Sequence, residues 1–202
     1  MKIPKTLPSC GNIVVAIKFP YFSSMEEVRK IGLGGGCHWC TEAVFQAVEG
    51  VIKVEQGYIA SEAPADALSE AVIIHYLPKR VNLKRLLEVH LHTHNSTSNH
   101  SFRKKYRSAV YYFTSEDEKA AKEFLKELQK DFEEKLITRV LPFVEFKASR
   151  ESIRNYYKKN PDASFCKRYI EPKLAVLEII SRKGPIKNFT RRARSKKMKI
   201  TK

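Results

Sequence analysis

The chain has 202 residues, of which 43% are hydrophobic, and this is enough for one packed domain of ordinary size. Four cysteines are too few for a small secreted domain held together by disulfides, and no apolar run approaches the ~20 residues of a membrane span. We therefore expect a cytoplasmic protein without a membrane anchor. The formal net charge is +16, but residues 181–202 hold ten Lys and Arg and no acidic residue, so +6 remains for residues 1–180.

Residues 1–24 are predicted to form an N-terminal extension in front of a domain that covers residues 25–180. Lys2 and Lys5 precede a short apolar run, which weakly resembles a signal peptide. Lys18 and Pro20 interrupt that run, and no small-residue cleavage site follows. We interpret the segment as an arm or an extra strand.

A glycine-rich motif with two cysteines, Gly34–Glu42 (GGGCHWCTE), is the most distinctive stretch of the chain. The apolar run Val28–Leu33 precedes it and an apolar stripe at helical spacing follows it, which predicts the order strand, turn, helix. Cys37 would then lie at the first turn of the helix, where backbone N–H groups and the helix dipole favour a thiolate. The glycines would allow unusual backbone dihedral angles and the close approach of a ligand.

Cys40 would share the side of the helix that Cys37 occupies, with Trp39, the single tryptophan of the chain, between them. Two cysteines near the start of a helix can also be ordinary buried residues. The combination of glycines, Cys-x-x-Cys and an interposed tryptophan favours a redox or nucleophilic site over packing alone.

The remaining elements alternate imperfectly between strands and helices. The predicted strands span Val51–Ile59, Glu70–Tyr76, Tyr106–Phe113 and Leu136–Val144, and the predicted helices span Leu83–His90 (capped by Asn82), Ser115–Phe132 and Ile153–Tyr157. Because some strands are adjacent in sequence, this order predicts an α+β fold with helices on one face of a sheet.

Residues 35–45 (GGCHWCTEAVF) are similar to the signature of the A class of peptide methionine sulfoxide reductases. The similarity continues in further blocks, at residues 49–51, 57–58, 69–72, 106–112 and 160–166. The similarity ends near residues 172–174 and extends over about residues 27–175, so the chain resembles a divergent member of that family. The resemblance implies a ferredoxin-like α/β sandwich, in which helices pack on a mixed sheet.

The resemblance also implies an enzyme that reduces methionine S-sulfoxide, free or within a peptide. The Cys37 thiolate would attack the sulfoxide sulfur, methionine would leave, and Cys37 would become a sulfenic acid. A second cysteine would condense with the sulfenic acid to a disulfide, which thioredoxin would reduce. No cofactor is implied, and the implied role is the repair of oxidised proteins by a monomer.

The same resemblance assigns roles to individual residues. Glu70 matches the family's proton-donating glutamate, whose carboxyl must be neutral to donate to the sulfoxide oxygen, and Tyr106 matches a tyrosine that holds this oxygen. Cys40 and Cys166 are two candidates for the resolving cysteine. The implied set is Cys37, Glu70, Tyr106, Cys40 and Cys166 for catalysis, with His38, Trp39 and Tyr58 for substrate binding.

The sequence departs from the family pattern in the expected substrate pocket. His38 stands where the family usually has phenylalanine, so a titratable ring replaces half of the methyl cage. The loop Ala60–Leu68 is too short to hold the family's second oxygen-binding tyrosine. Cys166 is expected on a mobile loop after Asn160-Pro161.

Two other hypotheses use different residues. Zinc could be bound by His90, His92 and His94 together with the Cys37-His38-Trp39-Cys40 segment, although no second Cys-x-x-Cys is present and no metal is expected. Alternatively, the chain could be a non-catalytic descendant of the family that binds nucleic acid or acidic surfaces through its basic tail at 181–202, but a disordered solubilising tail is the preferred interpretation.

Overall fold

The computed structural model describes residues 27–183. The strands are β1 (Arg29–Gly34), β2 (Val51–Ala60), β3 (Ser69–Tyr76), β4 (Ala109–Tyr112), β5 (Arg139–Pro142) and β6 (Glu145–Ala148). The helices are α1 (His38–Gln46), α2 (Leu83–Thr93), α3 (Ser115–Leu128), α4 (Tyr156–Lys159) and α5 (Glu171–Lys183). The extension predicted at 1–24 lies outside the described residues, as does the tail predicted at 181–202 except for its first three residues, which end α5.

The described strands form one sheet in the order β5-β4-β1-β3-β2-β6. Neighbouring strands are antiparallel except for β4 and β5, which are parallel. The central part, β4-β1-β3-β2 with α1 between β1 and β2 and α2 between β3 and β4, is the ferredoxin-like arrangement. The predicted α+β fold with a mixed sheet is therefore confirmed.

Alternation along β3 separates the two faces of the sheet. Val72 and Ile74 belong to the main core, which contains apolar side chains from α1, α2, α3 and α5. Ala71 and Ile73 point to the other face, where a smaller cluster of strand and loop residues includes Ala65. The helices therefore pack on one face, and within residues 27–183 no helix is long and apolar enough to cross a membrane.

Strand register brings the termini of three neighbouring strands together at one end of the sheet. Gly34, the last residue of β1, is opposite Ala71 near the start of β3 and opposite Ala109 at the start of β4. The segments that flank these positions in sequence therefore meet in space. They carry Cys37, Glu70 and Tyr106, which are far apart along the chain.

Two strand predictions differ from the structure. Tyr106 lies before β4 because its N–H bonds to Phe102 O (2.9 Å) in a turn. The segment predicted as one strand over 136–144 is divided, because β5 pairs with β4 while β6 pairs with β2 at the opposite edge. The sequence does not predict β6 as a separate strand because Glu145–Ala148 is largely exposed and its polar–apolar alternation extends over only four residues.

The C-terminal predictions also need correction. The helix predicted over 153–157 is a 3₁₀ turn, Glu151–Ile153, followed by α4, and Asn155 between them has a positive φ of 55°. Cys166 is not on a mobile loop. It begins a π-helical turn, Cys166–Ile170, which continues directly into α5, and both Cys166 and Ile170 are fully buried.

Candidate active site

Cys37 is the N-cap residue of α1, and its carbonyl accepts hydrogen bonds from the N–H groups of Cys40 (3.1 Å) and Thr41 (3.2 Å). The pKa of its thiol is lowered, first by the neighbouring Cys40 side chain and then by the backbone N–H groups of Trp39 and Cys40. Burial and the charge of Glu70 oppose the shift without reversing it. The helix start therefore favours the nucleophilic thiolate, as the sequence predicted.

We expect Cys40→Ala to raise the pKa of Cys37, because the Cys40 side chain makes the largest contribution to its lowering. The rate of Cys37 alkylation by iodoacetamide should reach half its maximum at a higher pH in the variant than in the wild type. Cys166→Ala is the matched control and should leave that midpoint in place. An unchanged or lower midpoint in Cys40→Ala would contradict this account of the thiolate.

Glu70 is buried at the start of β3, with 6% of the residue exposed. Glu70 is two residues before Val72 in the strand, so both side chains point to the face of the sheet that the helices cover. The Glu70 side chain therefore reaches the start of α1. There the backbone N–H of His38 donates a hydrogen bond to Glu70 Oε2 (3.1 Å). The His38 Nδ1 atom lies 3.8 Å from the same oxygen and 3.2 Å from Gly57 O.

Aromatic rings adjoin the two cysteines on the other side. The Trp39 ring stacks on Tyr156 with 4.2 Å between centroids and meets Phe165 edge-on at 5.4 Å. The His38 ring makes an edge contact with Tyr58 at 5.4 Å. The His38 and Trp39 rings are 6.4 Å apart, so the three residues predicted to bind substrate, His38, Trp39 and Tyr58, lie in one aromatic group. His38 itself is almost completely buried, with 4% of the residue exposed.

The glycines before Cys37 serve close packing rather than unusual dihedral angles. Among the described glycines, Gly50 has a positive φ and those of the motif do not. A Cβ on Gly35 would lie 2.5 Å from the His94 ring, and one on Gly34 would lie 2.9 Å from Arg107 O. No heavy atom approaches the position of a Cβ on Gly36 within 4 Å, which leaves open space beside Cys37.

Arg103 is an organising residue that the sequence did not reveal. Its guanidinium donates to the carbonyls of Gly35 (3.1 Å) and Tyr106 (3.1 Å), so that one side chain joins the glycine turn to the tyrosine segment. It also donates to the carbonyls of Asn95 and Ser98. A lone arginine in a polar loop gives no sequence signal for such a role, because its acceptors are backbone carbonyls distant in sequence.

We expect Arg103→Met to lower the free energy of unfolding by about 2 kcal/mol, because it removes several charge-assisted hydrogen bonds to carbonyls. Urea unfolding should measure the loss. The exposed neighbour Lys104 provides the matched control, and Lys104→Met should unfold at nearly the wild-type midpoint. Equal midpoints for the two variants would show that Arg103 does not hold this loop.

The two candidate resolving cysteines, Cys40 and Cys166, lie in one buried cluster, and the partly buried Cys37 packs against it. Cys40 is 5% exposed, and the pKa of its thiol is raised, first by the hydrogen bond to Cys37 and then by burial. The Cys166 thiol donates to Asn160 O (3.0 Å). Lys173 lines a small pocket with Cys37 and Cys40 and donates to Thr93 O.

The histidines of the zinc hypothesis have other partners. His90 Nε2 is 3.0 Å from Gly34 O, and the two nitrogens of His94 are 2.6 Å from His90 O and 2.9 Å from Ser108 Oγ. Burial lowers the pKa of His90 to about 3 and also lowers that of His94. Both imidazoles are therefore neutral and structural.

Within residues 27–183, a group of potential metal ligands with donor atoms within 4.8 Å of one another is Glu88, His92 and Asp131. It contains none of the thiols, and so the structure does not join the cysteines and histidines into the cluster that the zinc hypothesis requires.

The fold and the site define a thiol oxidoreductase, in which a nucleophilic cysteine at a helix start lies beside a second thiol and a buried carboxyl group. Residues 29–183 match the family model of peptide methionine sulfoxide reductase, and the chain belongs to that family. The activity of this family is the reduction of methionine sulfoxide to methionine, which confirms the predicted enzyme class.

Curated relatives and solved structures agree with this assignment. The chain is 31% identical to the peptide methionine sulfoxide reductase MsrA 1 of Rhodopirellula baltica, over 77% of this chain and 91% of the relative. It is 32% identical to MsrA of Campylobacter jejuni, over 75% and 99%. The reduced form of Mxr1 from Saccharomyces cerevisiae has the same fold, with a TM-score of 0.64 and 22% identity over 71% of this chain and 91% of Mxr1. Mxr1 in complex with Trx2 is similar with a TM-score of 0.52 and 21% identity, over 69% and 91%.

Proposed function

We propose that the chain reduces methionine S-sulfoxide through attack of the Cys37 thiolate on the sulfoxide sulfur. The observation that carries this proposal is the position of Cys37 at the start of α1, where N–H groups and the Cys40 thiol lower its pKa. Glu70 lies at the same helix start and donates a proton to the departing oxygen, while Tyr106 holds that oxygen. Trp39, His38 and Tyr58 surround the methyl group of the substrate.

The reaction then needs a second thiol, and we propose Cys40. Cys40 follows Cys37 by three residues at the start of α1, and both cysteines line one small pocket, so that a disulfide between them requires little movement. Lys173 beside the pair supplies a positive charge that favours the Cys40 thiolate. Cys166 is fully buried, donates to Asn160 O and packs in the same cluster as Cys40, and we propose that it acts second. Its thiolate attacks Cys40 Sγ, which breaks the Cys37–Cys40 bond and releases the Cys37 thiolate.

We expect Cys40→Ser to accumulate the Cys37 sulfenic acid after one turnover, because the adjacent thiol is absent. Dimedone labelling followed by peptide mass spectrometry should detect it. Cys166→Ser is the matched control and should form the Cys37–Cys40 disulfide without dimedone labelling. Sulfenic acid accumulation in Cys166→Ser alone would assign the first resolving step to Cys166 instead.

We further propose that thioredoxin reduces the enzyme disulfide. The solved complex of the similar protein Mxr1 with Trx2 supports this partner. The low cysteine content supports a cytoplasmic location, and a monomer suffices because the proposed residues all come from one chain. The test is NADPH oxidation in the presence of thioredoxin, thioredoxin reductase and a peptide with methionine S-sulfoxide. We expect turnover with the S epimer. If turnover with the S epimer is no greater than with the R epimer, the proposal is rejected.

A further inference from the structure

Lys105 is held beside Glu70 by its own backbone. The Lys105 carbonyl accepts a hydrogen bond from the Glu70 N–H (2.9 Å) and another from Ser69 Oγ (2.9 Å). Ser69 Oγ also accepts a bond from the Arg107 N–H (2.8 Å), on the far side of Tyr106. The segment that carries Lys105 and Tyr106 is therefore fastened to the first residues of β3.

The Lys105 side chain returns toward the same carboxyl group. Its Nζ atom lies 3.5 Å from Glu70 Oε1 and 5.1 Å from the centroid of the Tyr106 ring. The two carboxyl oxygens have different neighbours, because Oε2 receives the His38 N–H and Oε1 faces the ammonium. The pKa of Lys105 is raised by its contact with the Tyr106 side chain and by the charge of Glu70, so the ammonium stays charged at neutral pH.

Burial differs sharply across this ion pair. The Glu70 side chain is 8% exposed, whereas the Lys105 side chain is 61% exposed. An ion pair with so exposed a partner contributes little to folding stability. Stability therefore gives no reason for the ammonium to face this buried carboxyl, but a polar substrate atom that enters beside Glu70 and Tyr106 would meet it.

We propose that Lys105 is a further catalytic residue, whose ammonium donates a hydrogen bond to the sulfoxide oxygen together with Tyr106. This inference rests on the proposed function. As the thiolate attacks sulfur, the S–O bond breaks and negative charge develops on oxygen, where a positively charged donor stabilises the transition state. The ammonium also faces the carboxylate that Glu70 becomes after it gives up its proton.

The step balances without a further reactant. Attack forms a bond between Cys37 Sγ and the substrate sulfur. The oxygen, protonated by Glu70, is transferred from the substrate sulfur to Cys37 Sγ as the bond between the two sulfurs breaks, which gives the Cys37 sulfenic acid and methionine. The Cys37 sulfur is oxidised by two electrons and the substrate sulfur is reduced by two. Lys105 keeps its proton throughout, and Glu70 regains one from solvent.

The test compares Lys105→Met and Lys105→Arg with the matched control Lys104→Met, which removes the same charge from the adjacent exposed residue. We expect Lys105→Met to lower kcat/KM about a hundredfold at an unchanged melting temperature, and Lys105→Arg to recover most of the loss. A kcat/KM for Lys105→Met within threefold of the control would overturn the proposal, as would an arginine variant no better than the methionine variant.

A double-mutant cycle separates direct action on the substrate from action through Glu70. In a Glu70→Gln background, Lys105→Met should still lower kcat/KM at least tenfold, and disappearance of the effect would overturn direct donation.

Substrate binding gives an independent readout, because Trp39 is the single tryptophan and its fluorescence can follow a titration with methionine S-sulfoxide in Cys37→Ser. We expect weaker binding when Lys105→Met is added, and unchanged binding would count against the proposal. Failure of the proposed function would instead appear as absent turnover in the wild type.

Discussion

Cys37→Ser is expected to abolish reductase activity, with a loss of about 10⁴-fold or more in turnover, because the serine hydroxyl remains protonated at neutral pH and cannot take the place of the thiolate. In the described structure Cys37 is the N-cap residue of α1, and the pKa of its thiol is lowered by the Cys40 side chain and by backbone N–H groups. Activity should be measured as methionine formed from the S-sulfoxide with dithiothreitol as reductant, so that the resolving thiols do not limit the result.

Cys10→Ser is the matched control for that experiment. Cys10 lies outside both the described residues and the family match at 29–183, and its replacement should leave turnover at the wild-type level. Cys37→Ser with near-wild-type turnover would remove Cys37 from the reaction.

Glu70→Ala is expected to lower kcat/KM about a hundredfold, because it removes a group that acts on the developing oxyanion, and one such donor is worth roughly 3 kcal/mol. Glu70→Gln should retain more activity than Glu70→Ala, since an amide can still donate a hydrogen bond although it cannot supply a proton. Steady-state kinetics on a sulfoxide peptide should rank the variants as wild type, Gln and then Ala.

The control for Glu70 is a glutamate away from the site. Glu62 is exposed in the loop between β2 and β3, and Glu62→Ala should retain the wild-type kcat/KM. If Glu70→Ala matched this control, Glu70 would have no part in the reaction.

Patterns among residues close in sequence predict the elements that depend on short-range interactions, such as helix starts and helix caps. The apolar run and the following helical stripe placed Cys37 at a helix start, and Asn82 was predicted as a cap that the structure confirms, with its side chain accepting from the Arg85 N–H (2.9 Å). The family resemblance then singled out Glu70, and strand pairing explains how this residue reaches α1.

Features that depend on distant contacts could not be predicted in the same way. Arg103 and Lys105 act through carbonyls and a carboxyl group that only tertiary folding brings near them. Asn160-Pro161 predicts a break and therefore a loop at Cys166, yet Cys166 and Ile170 are one helical turn apart and pack with Cys40. A buried thiol on such a face has no signature that separates it from a small apolar residue.

The sequence predicts the position of the glycine motif correctly, but the predicted reason for its glycines is wrong. The sequence suggested unusual backbone angles, whereas Gly34 and Gly35 are required because a β-carbon would collide with Arg107 O and with the His94 ring. That requirement depends on α2 and on the segment before β4, both of which are remote in sequence from the motif.

The most direct test of the proposed chemistry is a single turnover of the prereduced Cys166→Ser variant, in which the disulfide cannot pass to a third cysteine. The substrate is the S epimer of a methionine sulfoxide peptide, and no reductant is added. We expect one methionine per protein molecule and, in the same sample, a disulfide between Cys37 and Cys40 detected by peptide mass spectrometry. Formation of methionine while Cys37 remains a free thiol, or equal consumption of the R epimer, would contradict the proposed chemistry.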